Sequence, residues 1–242
     1  RRERWWQYAE RAPKLYQAVK GLDRILVVAL VSRTVMPVRV TSHQVLSHKL
    51  GVFATSTDAD LALLSSSFHS LWAWRNSSTM KADLNYSPSD AYETFPWPGS
   101  IVELTAMGKM LEIVRSSVME NRQLGLTKIY SLLHNSTVAD DDILGLRNLH
   151  GEIDRAVSDA YGWGDLNLGH GFHPARQGLR YTVDPVTRIE ILDRLLERNH
   201  DQRHRESNNI TSDRKTKERE KNRNKTSARL PGTPASIDDV LF

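Results

Sequence analysis

The sequence predicts an α+β fold, in which a small β-sheet with packed helices is followed by an all-α helical segment and a disordered basic tail. Stretches rich in β-branched and aliphatic residues, which favour strands, fall within residues 24–54. Apolar residues spaced three and four apart, which favour helices, dominate residues 101–203. Residues 204–242 are polar, charged and poor in aliphatic side chains, so burial cannot offset the entropy lost on ordering them.

The chain begins with a helical segment and three strand-like stretches. Glu3–Lys20 has helical apolar spacing interrupted at Pro13, which can start a second short helix because a first turn does not use the missing N–H. The strand-like stretches are 24–31, 35–41 and 44–54. The middle one alternates valine with polar residues, as a half-buried strand does.

A helix with clear signals at both ends follows the strands. Ser56 or Thr57 caps it, and Asp58 and Asp60 fall in the first turn, where the helix dipole favours negative charge. The helix is predicted to end near Asn76. One face carries an apolar stripe at helical spacing, made of Leu61, Leu64, Phe68, Leu71 and Trp72.

The second half is predicted to be helical, and a proline-rich stretch between residues 88 and 99 marks the boundary before it. Its second long helix opens at Asp140–Asp142 and closes at Gly162, and Gly164–Thr182 is expected to be a loop. A last helix begins with Asp184 as its cap. Three apolar side chains of this helix are predicted to face inward, namely Ile189, Leu192 and Leu196. The predicted division is therefore 1–100, 101–203 and 204–242.

The positive charge is concentrated in the tail. Arg203–Arg229 contains ten Lys or Arg and four Asp or Glu, a net of +6, against +4 for the whole chain. The remainder therefore sums to −2, and any nucleic-acid surface on the folded part must be a local patch. No cysteine is present, and no apolar run approaches the length of a membrane span. We expect a cytoplasmic protein that does not contact a membrane, and, since the chain begins with Arg1, a segment upstream of it.

Motifs for catalysis and cofactor binding are missing from the sequence. It contains no Gly-x-Gly-x-x-Gly, no phosphate-binding Gly-x-x-x-x-Gly-Lys, and no Asn/Asp-Pro-Pro-aromatic tetrapeptide. Asp90 and Glu93 are interpreted as a helix-start capping pair rather than half of a nuclease site. His170 and His173 are a weak signal for zinc, and a structural or solvent role is favoured. No catalytic, cofactor-binding or metal-binding residue is therefore predicted.

Residues 24–90 carry side chains suited to DNA. Arg and Lys pair with guanine edges or phosphates, Asn pairs with adenine, and Ser contacts phosphate. An ordinary solvated surface is the alternative that composition alone favours. The candidate DNA-binding residues are Arg33, Arg39, His43, His48, Lys49, Arg75, Asn76, Ser77, Lys81, Asn85 and Tyr86.

Three stretches carry a resemblance to a known family. They are Trp5–Pro13 (WWQYAERAP), Phe68–Pro98 with its block Tyr86-Ser87-Pro88-Ser89-Asp90 and Glu93-Thr94-Phe95-Pro96, and Leu149–Phe172. In order and spacing they resemble the target-recognition and C-terminal helical region of large adenine-specific DNA methyltransferases. That family includes type IIG and IIL restriction–modification enzymes and the methyltransferases of the DISARM and BREX phage-defence systems. The resemblance covers residues 3–200 and leaves out the tail.

The resemblance implies that residues 1–100 recognise double-stranded DNA and that 101–203 form a helical domain joined to it. It implies a full-length protein that uses S-adenosylmethionine to methylate the N6 of a flipped adenine. The catalytic motifs would lie in an upstream methyltransferase domain, and other defence-system proteins are further expected partners. The rival hypothesis is a helical protein-interaction module that binds DNA only non-specifically. An RNA-binding protein ranks third, because the strand stretches contain few aromatic residues for base stacking.

Overall fold

The computed structural model describes residues 12–227, with side chains up to residue 207. Contacts divide the chain into a first unit, Arg1–Leu196, and a second unit, Glu197–Phe242. The described part of the first unit combines small antiparallel sheets with helices, so the predicted α+β class is confirmed. Among the described residues, no helix combines the length and the hydropathy required of a membrane span.

The first sheet has the order β3-β1-β4, with β1 at Arg24–Ala29, β3 at Val38–Thr41 and β4 at Leu50–Phe53. Both pairings are antiparallel, and Val27 is opposite Val38 on one side and Val52 on the other. The four inner residues of β1 are all buried because both faces of this central strand are covered. The two outer strands are shorter than the sequence predicts, because 35–37 and 44–49 form connections instead.

The second sheet has the order β2-β6-β5, with β2 at Val31–Ser32, β5 at Ser78–Met80 and β6 at Asp83–Asn85. A tight turn joins β5 to β6, and Lys81 in this turn has a left-handed backbone with φ of 58°. The sheet is joined to the end of β1 through the Tyr86 amide, which donates to the Leu30 carbonyl at 2.7 Å.

Two helices stand where the sequence predicts one. α2 spans Asp58–Ser65 and α3 spans Ser67–Asn76, after a short α1 at Pro13–Ala18. The break lies at Ser66, whose extended backbone lets its hydroxyl accept from the His69 amide as an N-cap. A serine that bonds locally in this way competes with continuation of the helix. Thr57 caps α2 as predicted, accepting from the Asp60 amide at 3.1 Å.

The remaining elements are α4 at Thr105–Arg122, α5 at Leu126–Leu133, α6 at Asp141–Tyr161, β7 at Gly171–Ala175, β8 at Gly178–Thr182 and α7 at Pro185–Ser227. Gly162 ends α6 in a left-handed conformation, as predicted. Apolar residues from 26 to 195 form one continuous core. Chain segments on both sides of residue 100 therefore pack together, and the predicted division of 1–100 from 101–203 stays a prediction.

Four further predicted features differ from the structure. The Gly164–Thr182 loop contains the β7–β8 hairpin, which Gly178 makes possible with φ of 98°. Ile189 is exposed on α7 while Ile191 and Leu195 are buried, because packing selects one of two overlapping apolar stripes. The Asp90 segment is a single wide turn at Pro88–Tyr92 rather than a normal helix start. Regular structure continues to Ser227, past Arg203, and residues 1–11 and 228–242 lie outside the described residues.

Candidate nucleic-acid interface

Three candidate residues lie on the connection between β3 and β4. His43, His48 and Lys49 are exposed there. Ser42 fixes the start of the connection, because it is buried and its amide donates to the Asp23 carbonyl at 3.0 Å. His43 Nε2 lies 3.8 Å from a carboxylate oxygen of Asp23. The three side chains that the sequence predicts to contact DNA from this connection therefore lie at the surface.

A second group lies where α3 passes into the β5–β6 hairpin. Arg75 and Lys81 are exposed, and Lys81 stands at the tip of the hairpin. Asn76 donates its side-chain amide to the Trp72 carbonyl at 2.9 Å, and Ser77 accepts from the Ser87 amide at 3.1 Å. Asn85 donates to the Ser78 hydroxyl at 3.0 Å. The structure brings these five predicted residues together, and Arg75 and Lys81 are the exposed ones among them.

The side chains of Arg39 and Tyr86 are packed inside the fold. The Arg39 side chain is 9% exposed and pairs with Asp58 and Glu112, both at 2.5 Å. The Tyr86 residue is 3% exposed, and its hydroxyl lies 3.1 Å from His69 Nε2. Burial raises the pKa of Tyr86 above its usual range and lowers the pKa of His69 to about 4. For these two residues the structure favours a packing role over a contact with DNA.

The structure places two further arginines beside the predicted set. Arg176 and Arg180, from the β7–β8 hairpin, approach the second sheet. Arg176 Nη2 donates to the Thr79 hydroxyl at 3.4 Å, and Arg180 Nη2 donates to the Arg33 carbonyl at 3.1 Å. Desolvation first, and the charge of Arg33 second, lower the pKa of Arg180. Arg33 itself is exposed and pairs with Asp83 at 3.2 Å.

Sequence reasoning missed these arginines because it assigned the segment to a loop without candidate residues. A usable signal was present in the run Arg176-Gln177-Gly178, in which a glycine suited to a tight turn separates two extended stretches. That signal does not show where the hairpin packs. Its contact with the second sheet joins Arg180 to Arg33, which are 147 residues apart in the sequence.

The histidines that suggested zinc take protein partners. His170 Nε2 lies 2.8 Å from Asp154 Oδ2, while Asp154 Oδ1 accepts from the Ser67 amide at 2.7 Å. His173 Nε2 lies 2.9 Å from the Gly169 carbonyl oxygen. Across the part of the chain that the structure describes, no group of three or more His, Cys, Asp or Glu side chains is arranged to hold a metal ion.

Comparisons with known proteins address the first hundred residues and the fold. Residues 3–99 match a family model described as "MmeI, target recognition domain". A solved structure, "Structure of Type IIL restriction-modification enzyme MmeI in complex with DNA has implications for engineering of new specificities", is similar in fold with a TM-score of 0.51 at 18% identity. The match covers 75% of this chain and 22% of that one, so this chain corresponds to about a fifth of that protein's length. No curated protein matches the sequence. The resemblance to the target-recognition region of type IIL restriction–modification enzymes is thus confirmed, with residues 3–99 matching the MmeI target-recognition-domain family.

Proposed function

We propose that this chain recognises DNA sequence for a site-specific DNA methyltransferase of a bacterial restriction–modification or phage-defence system. The observation that carries the proposal is the match of residues 3–99 to a target recognition domain. All eleven candidate DNA-binding residues, from Arg33 to Tyr86, fall inside the matched segment. A similar fold has been solved in a restriction–modification enzyme in complex with DNA, which supports double-stranded DNA as the partner.

Four candidates, of which Lys49, Lys81 and Arg75 are exposed and Asn85 is half-buried, suit two kinds of contact. Lys49 and Lys81 present flexible ammonium groups that can neutralise phosphates, which supplies affinity without sequence preference. Arg75 and Asn85 carry planar groups whose donors and acceptors match base edges in the major groove. We assign the first pair to positioning and the second pair to the choice of sequence.

The reaction that this recognition serves is, in this proposal, transfer of a methyl group to the N6 of an adenine flipped out of the duplex. S-adenosylmethionine would supply the methyl group. The sequence lacks the glycine-rich and Asn/Asp-Pro-Pro-aromatic motifs suited to that chemistry. We therefore place cofactor binding and catalysis in an upstream domain of the same protein, and the protein in the cytoplasm, where its DNA substrate is.

The first prediction tests whether the lysines position the protein on DNA while Arg75 takes part in the choice of sequence. Lys81→Ala should weaken binding about equally for all duplexes and lower the salt dependence by about one unit of log–log slope, since one phosphate contact is lost. Arg75→Ala should change which sequence is chosen, with a loss of about 1–3 kcal/mol for the preferred site. Binding is measured by fluorescence anisotropy on several duplexes, and site choice by sequencing of DNA methylated by the full-length protein.

Lys109→Ala is the matched control, because Lys109 is an exposed lysine on α4, outside residues 24–90. Deletion of 204–242 tests the rival module that binds DNA only through its basic tail. If all substitutions within 24–90 leave site choice intact while the deletion abolishes it, the recognition proposal is wrong.

A further inference from the structure

A cavity of about 280 Å³ lies within the first unit, between the start of α3, helices α5 and α6, and the β7–β8 hairpin. Four arginines line it: Arg33, Arg176, Arg180 and Arg188. We call it the arginine cavity. Three of these arginines come from the segment 171–188, and Arg33 comes from the chain just after β2. The fold thus collects in one place cationic groups that are far apart in sequence.

The hydrogen bonds of these guanidinium groups go mainly to neutral oxygens. Arg180 Nη2 donates to the Thr34 hydroxyl at 3.1 Å as well as to the Arg33 carbonyl, and Arg188 Nη2 donates to the Pro174 carbonyl at 2.8 Å. Each guanidinium has five N–H donors, so most donors remain available. Among the described residues, the ion pairs of the four arginines are limited to the exposed one between Arg33 and Asp83.

The lining carries little negative charge to balance the arginines. Asp154 is the carboxylate that the lining contains, and it is 2% exposed. Its two oxygens are already engaged by His170 at 2.8 Å and by the Ser67 amide at 2.7 Å. An excess of unpaired positive charge in a partly enclosed space is unfavourable unless an anion enters it.

One buried polar atom of the lining lacks a partner. Ser65 is 8% exposed, and its hydroxyl has no hydrogen-bond partner among the described residues. Buried polar groups are nearly always hydrogen-bonded, so this hydroxyl is available to a polar ligand in the cavity. The Ser65 hydroxyl can donate one hydrogen bond to an oxygen ligand.

We propose that the arginine cavity binds a phosphate group of the DNA backbone. A planar guanidinium can donate two parallel hydrogen bonds to the oxygens of one phosphate. These bonds are strong because both partners are charged. Arg176 touches Thr79, two residues from Lys81 at the hairpin tip, so a phosphate held here lies beside the segment assigned to DNA recognition. Such a contact sets the register of the domain on the duplex. The choice of DNA as the source of the phosphate rests on the proposed function.

Two substitutions test the cavity without touching the core. Arg176 is exposed and Arg188 is half-buried, so Arg176→Ala and Arg188→Ala leave the packed interior intact. Each should weaken binding of the 242-residue chain to three unrelated duplexes by a similar factor. Each should also lower the log–log salt slope by about 0.9. Arg155→Ala is the control, because Arg155 is exposed on α6 and is not part of the cavity lining. Urea unfolding of every variant checks that folding is unchanged.

The outcomes separate the two proposals. If the unchanged chain binds duplexes with a salt-dependent affinity and both variants behave like Arg155→Ala, the cavity proposal is overturned and the proposed function stands. If the unchanged chain binds no duplex, the proposed function fails, and so does DNA as the source of the phosphate. A titration with inorganic pyrophosphate, followed by the NMR signals of the arginine Nε–H groups, then distinguishes a free-anion site from an empty one.

Discussion

Arg39 joins β3 to two helices through a single guanidinium. One Nη donates to Asp58 at the start of α2, and the other donates to Glu112 in the middle of α4. The pair with Asp58 also places a positive charge next to an acidic first turn, while Glu112 receives a second cation from Arg24 at 2.9 Å. Arg39 therefore links the first sheet to both helices, and Arg24 adds a second link to α4.

Arg39→Ala should lower the free energy of unfolding by about 1.5–3 kcal/mol, because hydrogen bonds to charged groups are lost at a site that is mostly shielded from water. The matched control is Arg24→Ala, whose side chain is 54% exposed and whose loss should cost less than about 1 kcal/mol. Urea unfolding measures both. An Arg39→Ala variant that keeps its stability but changes sequence preference would return Arg39 to the DNA-binding set.

Buried arginines show which part of the structure a sequence does not reveal. Arg147 is 3% exposed on α6 and donates to four backbone carbonyls around the end of α5, those of Leu132, Leu133, Asn135 and Val138. Its guanidinium also lies over the ring of Phe172 at 4.9 Å. The sequence shows an arginine on a helix, but its partners are carbonyls at the end of α5 and just after it, which become its neighbours only in three dimensions.

The crossing of α2 and α4 depends on one glycine. A Cβ built at Gly108 would lie 1.8 Å from the backbone carbonyl oxygen of Asp58. No real Cβ approaches another atom so closely, and a backbone atom cannot move aside as a flexible side chain can. Gly108 therefore sets the distance at which the two helices meet.

Gly108→Ala should destabilise the protein by more than about 1 kcal/mol, because forcing the helices apart outweighs the gain of about 1 kcal/mol that alanine brings to a helix interior. Gly145→Ala on α6 is the matched control, since nothing lies within 4 Å of its Cβ. That variant should gain about 0.5–1 kcal/mol. Thermal unfolding compares the two, and a stabilised Gly108→Ala would contradict the close approach.

At the level of elements, local signals were sufficient where they were strong. The Thr57 cap, the Gly162 stop and the Asp184 cap each act within a few residues, and each lies where it is predicted. The hairpin at 171–182 pairs locally, but it was missed because the glycine, histidine and proline residues of its first strand favour a loop. On α7 the apolar residues form two overlapping stripes, and only packing against the core selects Ile191 over Ile189.

Across the whole of the first unit, segments on both sides of residue 100 share their interior. The ring of Phe68 stacks on that of Tyr161 at 5.8 Å, and the Tyr161 hydroxyl donates to the Pro96 carbonyl at 2.8 Å. The helical segment thus supports α3, which leads directly into the candidate DNA-binding residues. A substitution in the helical half that loosens this packing should therefore weaken DNA recognition without contacting DNA.

Buried histidines make the stability of the whole molecule depend on pH. Desolvation lowers the pKa of His69 to about 4 and that of His134 to about 3. Burial also lowers the pKa of His150 well below its usual value, with the charge of Arg115 as the next cause. The folded state keeps these rings neutral, whereas the unfolded chain takes up protons below about pH 6.5. Their contribution is therefore complete above about pH 6.5 and is lost as the pH falls towards 4.

The free energy of unfolding should fall between pH 6.5 and 5 by up to about 1.4 kcal/mol per pH unit for each buried histidine. The carboxylates of Asp142 and Asp165, whose pKa values arginine partners lower, act at lower pH, because an unfolded aspartate is protonated only near pH 4. The window above pH 5 therefore isolates the histidines. Urea unfolding at several pH values gives the slope of the unfolding free energy against pH, which measures the protons taken up on unfolding. His150→Gln should reduce that uptake by about one proton. The exposed His48→Gln controls for loss of a histidine as such. A free energy of unfolding that does not change with pH in the unchanged chain would mean that the histidine rings are open to solvent. The core that links α3 to the helical half would then be open to solvent as well.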